Sequence, residues 1–534
     1  MLRRRTFVRS ALVAAAASPI LARAPRVLAK PTSLRFGQPF AFSFDSLVER
    51  ARKLATQPYK APYKAMPEVV SRIDYDVHGK IKWRSELSLF ADASTPNSFP
   101  VTFFHVGQFF PKAIKMHELR EGQAREILYD PEYFDMPADS IARKLPADAG
   151  FAGFQFKESR ARADWKTQDW VAVLGASYFR TIGPLNQYGL SARGIALNTT
   201  AKTPEEFPDF TEFYLEPSKS AHDPQIIYAL LDGPSVTGAY RIACHRTVGV
   251  VTEVENALFF RKDVEQLGIA PLTSMYWFGE NDRQYRFDWR PEVHDSDGLA
   301  IWNGNGERIW RPLNNPSRVV TSSFQDKGPK GFGLLQRDRC YDHYLDGINY
   351  DKRASAWIEP LSDFGEGSVK LIEIPTDDEI HDNIVSFFTP SAPVKAGSAL
   401  RYKYKIHWLA DQPNPATNVA RVVATRIGRG GEPGKPRQPR GIAKFVLEFA
   451  GKPLDSLPNT DKVTADIWSS SGKTTPQPWR PDVFVEQVGS TKRWRVQFDL
   501  SYTGNDPIEL RVFLKKGPDN AALTETWLYQ FEPR

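Results

Sequence analysis

The chain has 534 residues, too many for one ordinary core and about right for two to four domains. With 41% hydrophobic and 25% charged residues it is not a disordered chain. The formal charge of +7 misleads: residues 1–29 hold six arginines and no acid, and the remainder carries 64 basic against 63 acidic residues, which excludes a general attraction to nucleic acid.

The chain opens with Arg3, Arg4, Arg5 and Arg9, followed by a moderately apolar run over 11–22 that is too short to span a bilayer. Val27, Leu28 and Ala29 then offer a cleavage site. Together these features predict a signal peptide over 1–29, of the twin-arginine type because Arg4 and Arg5 precede Phe7. The expected location is the periplasm, reached after folding. No later segment holds about 18 uninterrupted apolar residues.

Forty-one prolines and 35 glycines, with 12% aromatics, favour short strands and turns. A helix is predicted over 43–55, capped by Ser43 and spacing Leu47, Val48, Ala51 and Leu54 on one face. A second, weaker helix is predicted over 135–145. Alternation with period two over 81–90, 210–215, 250–258 and 368–374 predicts antiparallel strands. The segment 389–397 (TPSAPVKAG) reads as a linker. The expected organisation is therefore a β-sandwich domain over 30–391 and an immunoglobulin-like domain over 392–534. The second is built from strands at 399–409, 419–427, 442–449, 463–468, 483–488, 494–502 and 508–514. The basic stretch 426–440 reads as a solvated hairpin tip. Only Cys244 and Cys340 occur, so a disulfide and two free thiols are both compatible with export.

Three segments concentrate acids beside aromatics. Residues 290–307 carry His294, Asp295, Asp297 and Trp302. This is an Asx turn by spacing, and the twelve-residue calcium pattern is missing. Residues 337–351 bring Arg337, Asp342, His343, Tyr344, Asp346 and Tyr350. Residues 373–388 place Thr376 and Glu379 as a capping box, which predicts one helical turn with Glu379 and Asp382 on a shared face. Acids there either complement a helix dipole or do carboxylate chemistry, and spacing alone supports both. Paired carboxylates walled by Trp277, Trp289, Trp302, Trp310 and Trp357 suggest a sugar ligand, since pyranose faces stack on aromatic rings. Each tryptophan taken singly fits core packing as well. There is no nucleophile elbow, Walker loop, His-Glu-x-x-His or Cys-x-x-Cys, and no spacing makes metal ligands of His294, His343 and His381.

The runs 175–180 (GASYFR), 187–194 (QYGLSARG), 206–211 (EFPDFT), 311–316 (RPLNNP), 330–336 (KGFGLLQ), 382–385 (DNIV) and 525–530 (ETWLYQ) resemble the periplasmic glucan biosynthesis proteins G and D across the whole mature chain. The twin-arginine leader resembles that of the D-type members. The resemblance implies an all-β fold: a large N-terminal mutarotase-like β-sandwich followed by an immunoglobulin-like sandwich. It implies no cofactor and a role in making osmoregulated periplasmic glucans. Among D-type members it implies an inverting endo-β-1,2-glucanase. On that pattern Asp382 is the general acid with Glu379 nearby, Asp295 is the base, and Tyr350 holds water or a substrate hydroxyl. Trp302, Trp357, Tyr344 and Arg337 are expected to bind β-1,2-glucan. The competing expectation is a non-catalytic glucan-binding scaffold that assists a glucan synthase complex at the inner membrane. Sugar epimerisation follows from fold analogy alone and is the weakest reading.

Overall fold

The computed structural model describes residues 31–533, apart from 93–97, 221–222, 417, 432–433, 435–440, 458–462, 476–483 and 517–520. The leader expected over 1–29 and much of the basic stretch 426–440 lie outside the described residues.

The protein is all-β, and two large sheets face each other across its main core. One sheet runs from Gln123–Leu128 through Lys115–Arg120, Asp209–Glu216, Gln225–Asp232, Val236–Arg246, Val250–Phe260, Ala399–Leu409, Ser355–Pro360, Gly331–Leu335 and Gly298–Trp302 to Arg308–Pro312. The other runs from Val320–Lys327 through Glu366–Glu373, Ile384–Pro390, Leu267–Ser274, Ser191–Arg193, Tyr178–Thr181, Asp169–Leu174 and Phe151–Lys157 to Val101–His105. Alternate residues of both sheets, among them Phe154, Phe213, Tyr240, Leu272 and Tyr404, fill the space between them. Burying each such aromatic or aliphatic side chain contributes about 1.5–3 kcal/mol.

The smaller C-terminal sandwich packs Arg421–Arg429, Ile442–Ala450 and Trp494–Ser501 against a sheet of Thr526–Phe531, Ile508–Lys516 and Val463–Ser469. The chain's last strand, Thr526–Phe531, also pairs in parallel with Arg308–Pro312 through Ile309–Thr526 and Trp310–Trp527. One hydrogen-bonded surface therefore continues from the large sandwich into the small one. Trp310 and Trp357 belong to the second core, which also holds Phe445, Phe498 and Trp527. Glycines make room for both indoles: a Cβ at Gly298 would lie 2.2 Å from Trp310, and one at Gly331 would lie 2.5 Å from Trp357.

The helix Phe44–Ala55 forms as its pattern demands, with Ser43 and Ser46 completing a reciprocal cap and Leu47, Val48 and Ala51 buried. Other expectations are corrected. Strand Ala399–Leu409 is the continuation of the large sheet, paired with Val250–Phe260 and Ser355–Pro360, so the segment 389–397 links two strands of one domain. Its alternating residues Tyr402, Tyr404, Ile406 and Trp408 are buried by that sheet, and a sequence pattern does not say which sheet completes a strand. The helix expected over 135–145 reduces to a 3-10 turn, Ile141–Lys144. The strand over 81–90 is broken after Lys82–Trp83 by the 3-10 turn Ser85–Leu87.

Candidate active site

The three acidic segments converge beside one end of the second sheet. Asp382 directly precedes Asn383 and strand Ile384–Pro390. Asn383 Nδ2 donates to the Tyr276 and Ile374 carbonyls, both at 2.9 Å, and its Oδ1 accepts the Tyr276 amide at 2.8 Å. One residue back along the same strand connection, the Met275 carbonyl accepts the Asp295 amide at 2.9 Å. A two-residue spine, Met275 and Tyr276, thus fixes the backbone beneath both acids.

Asn315, from the RPLNNP run, performs the same service for the turn ahead of Asp382. It donates to the Trp277 and Thr376 carbonyls and accepts the Thr376 amide. The helical turn expected there does not form. Thr376 Oγ1 instead exchanges hydrogen bonds with the backbone of Asp378, which leaves Glu379 free to face inward. Glu379 Oε2 accepts from the Tyr350 hydroxyl at 2.6 Å and from Arg290 Nη1 at 2.7 Å.

Behind Tyr350 lies a wholly buried polar chain. His294 meets Glu292 and Gln336 through its two ring nitrogens, each at 2.9 Å. Gln336 Nε2 donates to the Tyr344 hydroxyl and the Tyr350 carbonyl, so its Oε1 is the atom turned toward the imidazole. Burial opposes a charge on His294, but the Glu292 hydrogen bond and carboxylate outweigh it, with help from Asp297 and Asp338. The imidazole is pushed up to about 9 and is a cation at neutral pH.

The electrostatics raise both principal acids. Asp382 is exposed to solvent, yet the surrounding protein desolvates its carboxyl. Desolvation, then the charge of Asp295, push its carboxyl up to about 6, against the pull of Arg180 and Arg193. Asp295 is also raised by burial, but Arg353, His294 and Arg180 all favour its ionised form. Its Oδ1 lies 3.1 Å from Arg353 Nε without hydrogen-bond alignment, and that oxygen has no donor among the described residues. Burial holds the Tyr350 hydroxyl protonated, reinforced by its bond to Glu379. A carboxyl pushed up to about 6, a buried Asp295 oxygen lacking a donor among the described residues and a neutral phenol together equip the cluster for proton transfer.

Asp382, Asp295, Glu379 and Tyr350 are therefore brought together. The four residues expected to touch substrate are not, and each is occupied elsewhere. Trp357 is 2% exposed, in the core between the sandwiches. Tyr344 is buried behind Tyr350 and spends its hydroxyl on Gln336 and the Asp338 carbonyl. Arg337 stacks on Trp310 at 3.7 Å and pairs with Glu525 across the two sandwiches. Trp302 lies beneath the Arg308 guanidinium at 3.6 Å, on the sheet that meets the C-terminal sandwich. The residues missed are the cations Arg180, Arg193, Arg290 and Arg353. Two of them sit inside runs 175–180 and 187–194, which carry the resemblance but contain no acid.

A concavity of about 810 Å³ opens between the sandwiches, away from Asp382, lined by Glu280, Glu292, Asp338, His343, Arg337 and Arg426 among others. Glu292, Asp338 and His343 bring one ligand atom each within 4.8 Å of one another, a set with metal-binding chemistry. In this structure His343 Nδ1 is hydrogen-bonded to Asp338.

Fold and site define an all-β protein with a cluster of carboxylates and arginines beside one end of a sheet. Residues 42–531 match the family described as "Periplasmic glucan biosynthesis protein, MdoG". "Glucans biosynthesis protein D 2" of Ralstonia nicotianae is 54% identical over 541 residues, covering 100% of this chain and 98% of that protein. "Glucans biosynthesis protein D" of Xanthomonas campestris pv. campestris is 43% identical over 540 residues, with coverage of 100% and 98%. Among solved structures, a galactose mutarotase related enzyme from Lactobacillus acidophilus aligns with 44% of this chain and 96% of its own, at 10% identity and a TM-score of 0.21, a likeness too slight to build on. The chain belongs to the periplasmic glucan biosynthesis protein MdoG family and has a role in periplasmic glucan biosynthesis.

Proposed function

We propose that the protein is an inverting endo-β-1,2-glucanase that trims the linear glucan backbone in the periplasm after export by the twin-arginine route. The observation that carries this reading is the carboxyl of Asp382, open to solvent yet pushed up to about 6 beside Asp295. A general acid must hold its proton near the working pH and still reach the leaving oxygen. Asp382 donates that proton to the glycosidic oxygen as the bond to the anomeric carbon breaks. A water attacks the opposite face of the sugar, and its proton passes to Asp295, directly or through a hydroxyl chain. Asp295 is suited to the receiving end because Arg353, His294 and Arg180 pull it toward ionisation against its burial and the Glu379 charge, and its Oδ1 lacks a donor among the described residues. Tyr350, whose hydrogen is committed to Glu379, offers its lone pairs to a water or a substrate hydroxyl.

The test is Asp382→Asn with linear β-1,2-glucan as substrate and chromatography of the products. Loss of cleavage with an unchanged circular dichroism spectrum supports the assignment. Undiminished turnover removes Asp382 from the chemistry. A wild-type protein that binds but never cleaves the glucan leaves the scaffold role beside a synthase.

A further inference from the structure

The loop leading into Arg290 exposes large apolar side chains beside the acids. Phe287 is 109% exposed and Trp289 is 67% exposed, and Ile380, next to Glu379 in the chain, is 75% exposed. Exposed aromatics on slack loops are unremarkable, but this loop is clamped. Arg290 donates from its backbone and from Nε to Asp288 Oδ1, and from Nη2 to Asp288 Oδ2, at 2.8–3.1 Å. Its Nη1 reaches Glu379 at 2.7 Å and Asp346 at 3.3 Å. One buried guanidinium therefore ties together the loop ahead of it, the loop before Tyr350 and the turn before Asp382. The same guanidinium lies 5.9 Å from the Trp289 ring and 5.8 Å from the Trp277 ring. Trp289 is thus joined to the reacting cluster by three consecutive contacts: ring to Arg290, Arg290 to Glu379, Glu379 to Tyr350.

We infer that Trp289 is a stacking platform for a glucosyl ring of the bound glucan, and that Arg290 is the positioning residue that holds it in register with the proton-transfer groups. The inference rests on the proposed reading of the cleft. An endo-acting site needs chain on both sides of the broken bond, and the surface leaving Glu379 in this direction presents an indole. A pyranose ring lays its axial C–H groups on such a face while its hydroxyls remain in water. A neutral polyhydroxylated ligand also suits the surroundings, because the Arg290 cation is already paired with Asp288, Asp346 and Glu379 and offers no free charge to an anion.

The test uses the full chain with Asp382→Asn as background, so that binding is read without turnover. Linear β-1,2-glucan oligomers of graded length are titrated by calorimetry into this protein and into versions that also carry Trp289→Ala or Trp289→Phe. The expected result is an affinity for long oligomers weakened about five- to tenfold by alanine and largely restored by phenylalanine, with the shortest binding oligomer unaffected. Equal affinity of the alanine and background proteins for every length overturns the platform while leaving the cleft reading intact. A changed sedimentation coefficient with an unchanged titration also overturns it, since the indole then serves a protein contact. A background protein that binds no glucan at any length overturns the cleft reading and the platform with it.

Discussion

The hydroxyl of Tyr350 and the carboxylate of Glu379 meet at 2.6 Å, and Arg290 holds the same Glu379 oxygen from another loop at 2.7 Å. This pairing fixes the direction of the phenolic proton, and therefore the direction in which the oxygen's lone pairs face. Tyr350→Phe removes the hydroxyl and keeps the ring. It is expected to lower kcat on linear β-1,2-glucan by about 10²- to 10³-fold with a small change in KM. Steady-state kinetics on the purified variant measures both. A loss confined to KM would assign the hydroxyl to substrate binding alone.

The proposed roles assign the acid limb and the alkaline limb of activity to different carboxyls. Asp382 must be protonated to act, so kcat is expected to fall about tenfold per pH unit well above pH 6. Asp295 must be ionised, so activity also falls at low pH as that carboxylate gains a proton. The pair titrates together, and the profile reports its joint behaviour. A pH–rate curve with a maximum above pH 8 would contradict the roles given to the two acids.

His294 makes stability depend on pH. Its folded-state value, about 9, lies above the ~6.5 of an unfolded chain. The stabilisation is complete below about pH 6.5 and is lost as pH rises toward 9, because there the unfolded chain binds fewer protons than the folded one. Unfolding free energies from urea titrations at pH 6, 7.5 and 9 are expected to decline by a total of about 3 kcal/mol. In His294→Gln this dependence flattens. A wild-type midpoint that rises over this range would show that the buried ring is neutral.

Trp357→Ala separates packing from binding. The indole fills the core between the sandwiches above Gly331. Its truncation is expected to cost about 3–5 kcal/mol of stability, read by denaturant unfolding. KM for glucan, measured on the folded fraction, is expected to stay within about twofold. A KM rise with unchanged stability would restore the substrate-binding role first expected of this residue.

The two cysteines are free, Cys244 buried and Cys340 exposed. Burial raises the Cys244 thiol far above its ordinary range. Alkylation of the native protein is expected to modify Cys340 alone, with Cys244 labelled only after unfolding, as peptide mass spectrometry reads out. Failure of Cys340 to react without prior reduction would indicate that it is disulfide-linked.

Local order in the chain determined a great deal. Alternation over 210–215, 250–258 and 368–374 specifies strands because one face of each must be apolar, and a capped 3.6-residue repeat specifies the helix Phe44–Ala55. The acids Asp295, Glu379 and Asp382 drew notice because carboxylates crowded among aromatics are costly unless paired or used. Tertiary structure decided the rest. The alternation of 399–409 was plain, but the partner strands that placed it in the large sheet lie some 50 to 150 residues earlier in the chain. Trp357 carries the same side chain as Trp289, and nothing local distinguishes an indole sealed between sandwiches from one clamped beside the acids. The cations Arg180, Arg193, Arg290 and Arg353 reach the acids from segments far apart in sequence. Side-chain chemistry is local to a residue, but burial and field are sums over whatever the fold brings near, and those sums exist only once the sheets have closed on one another.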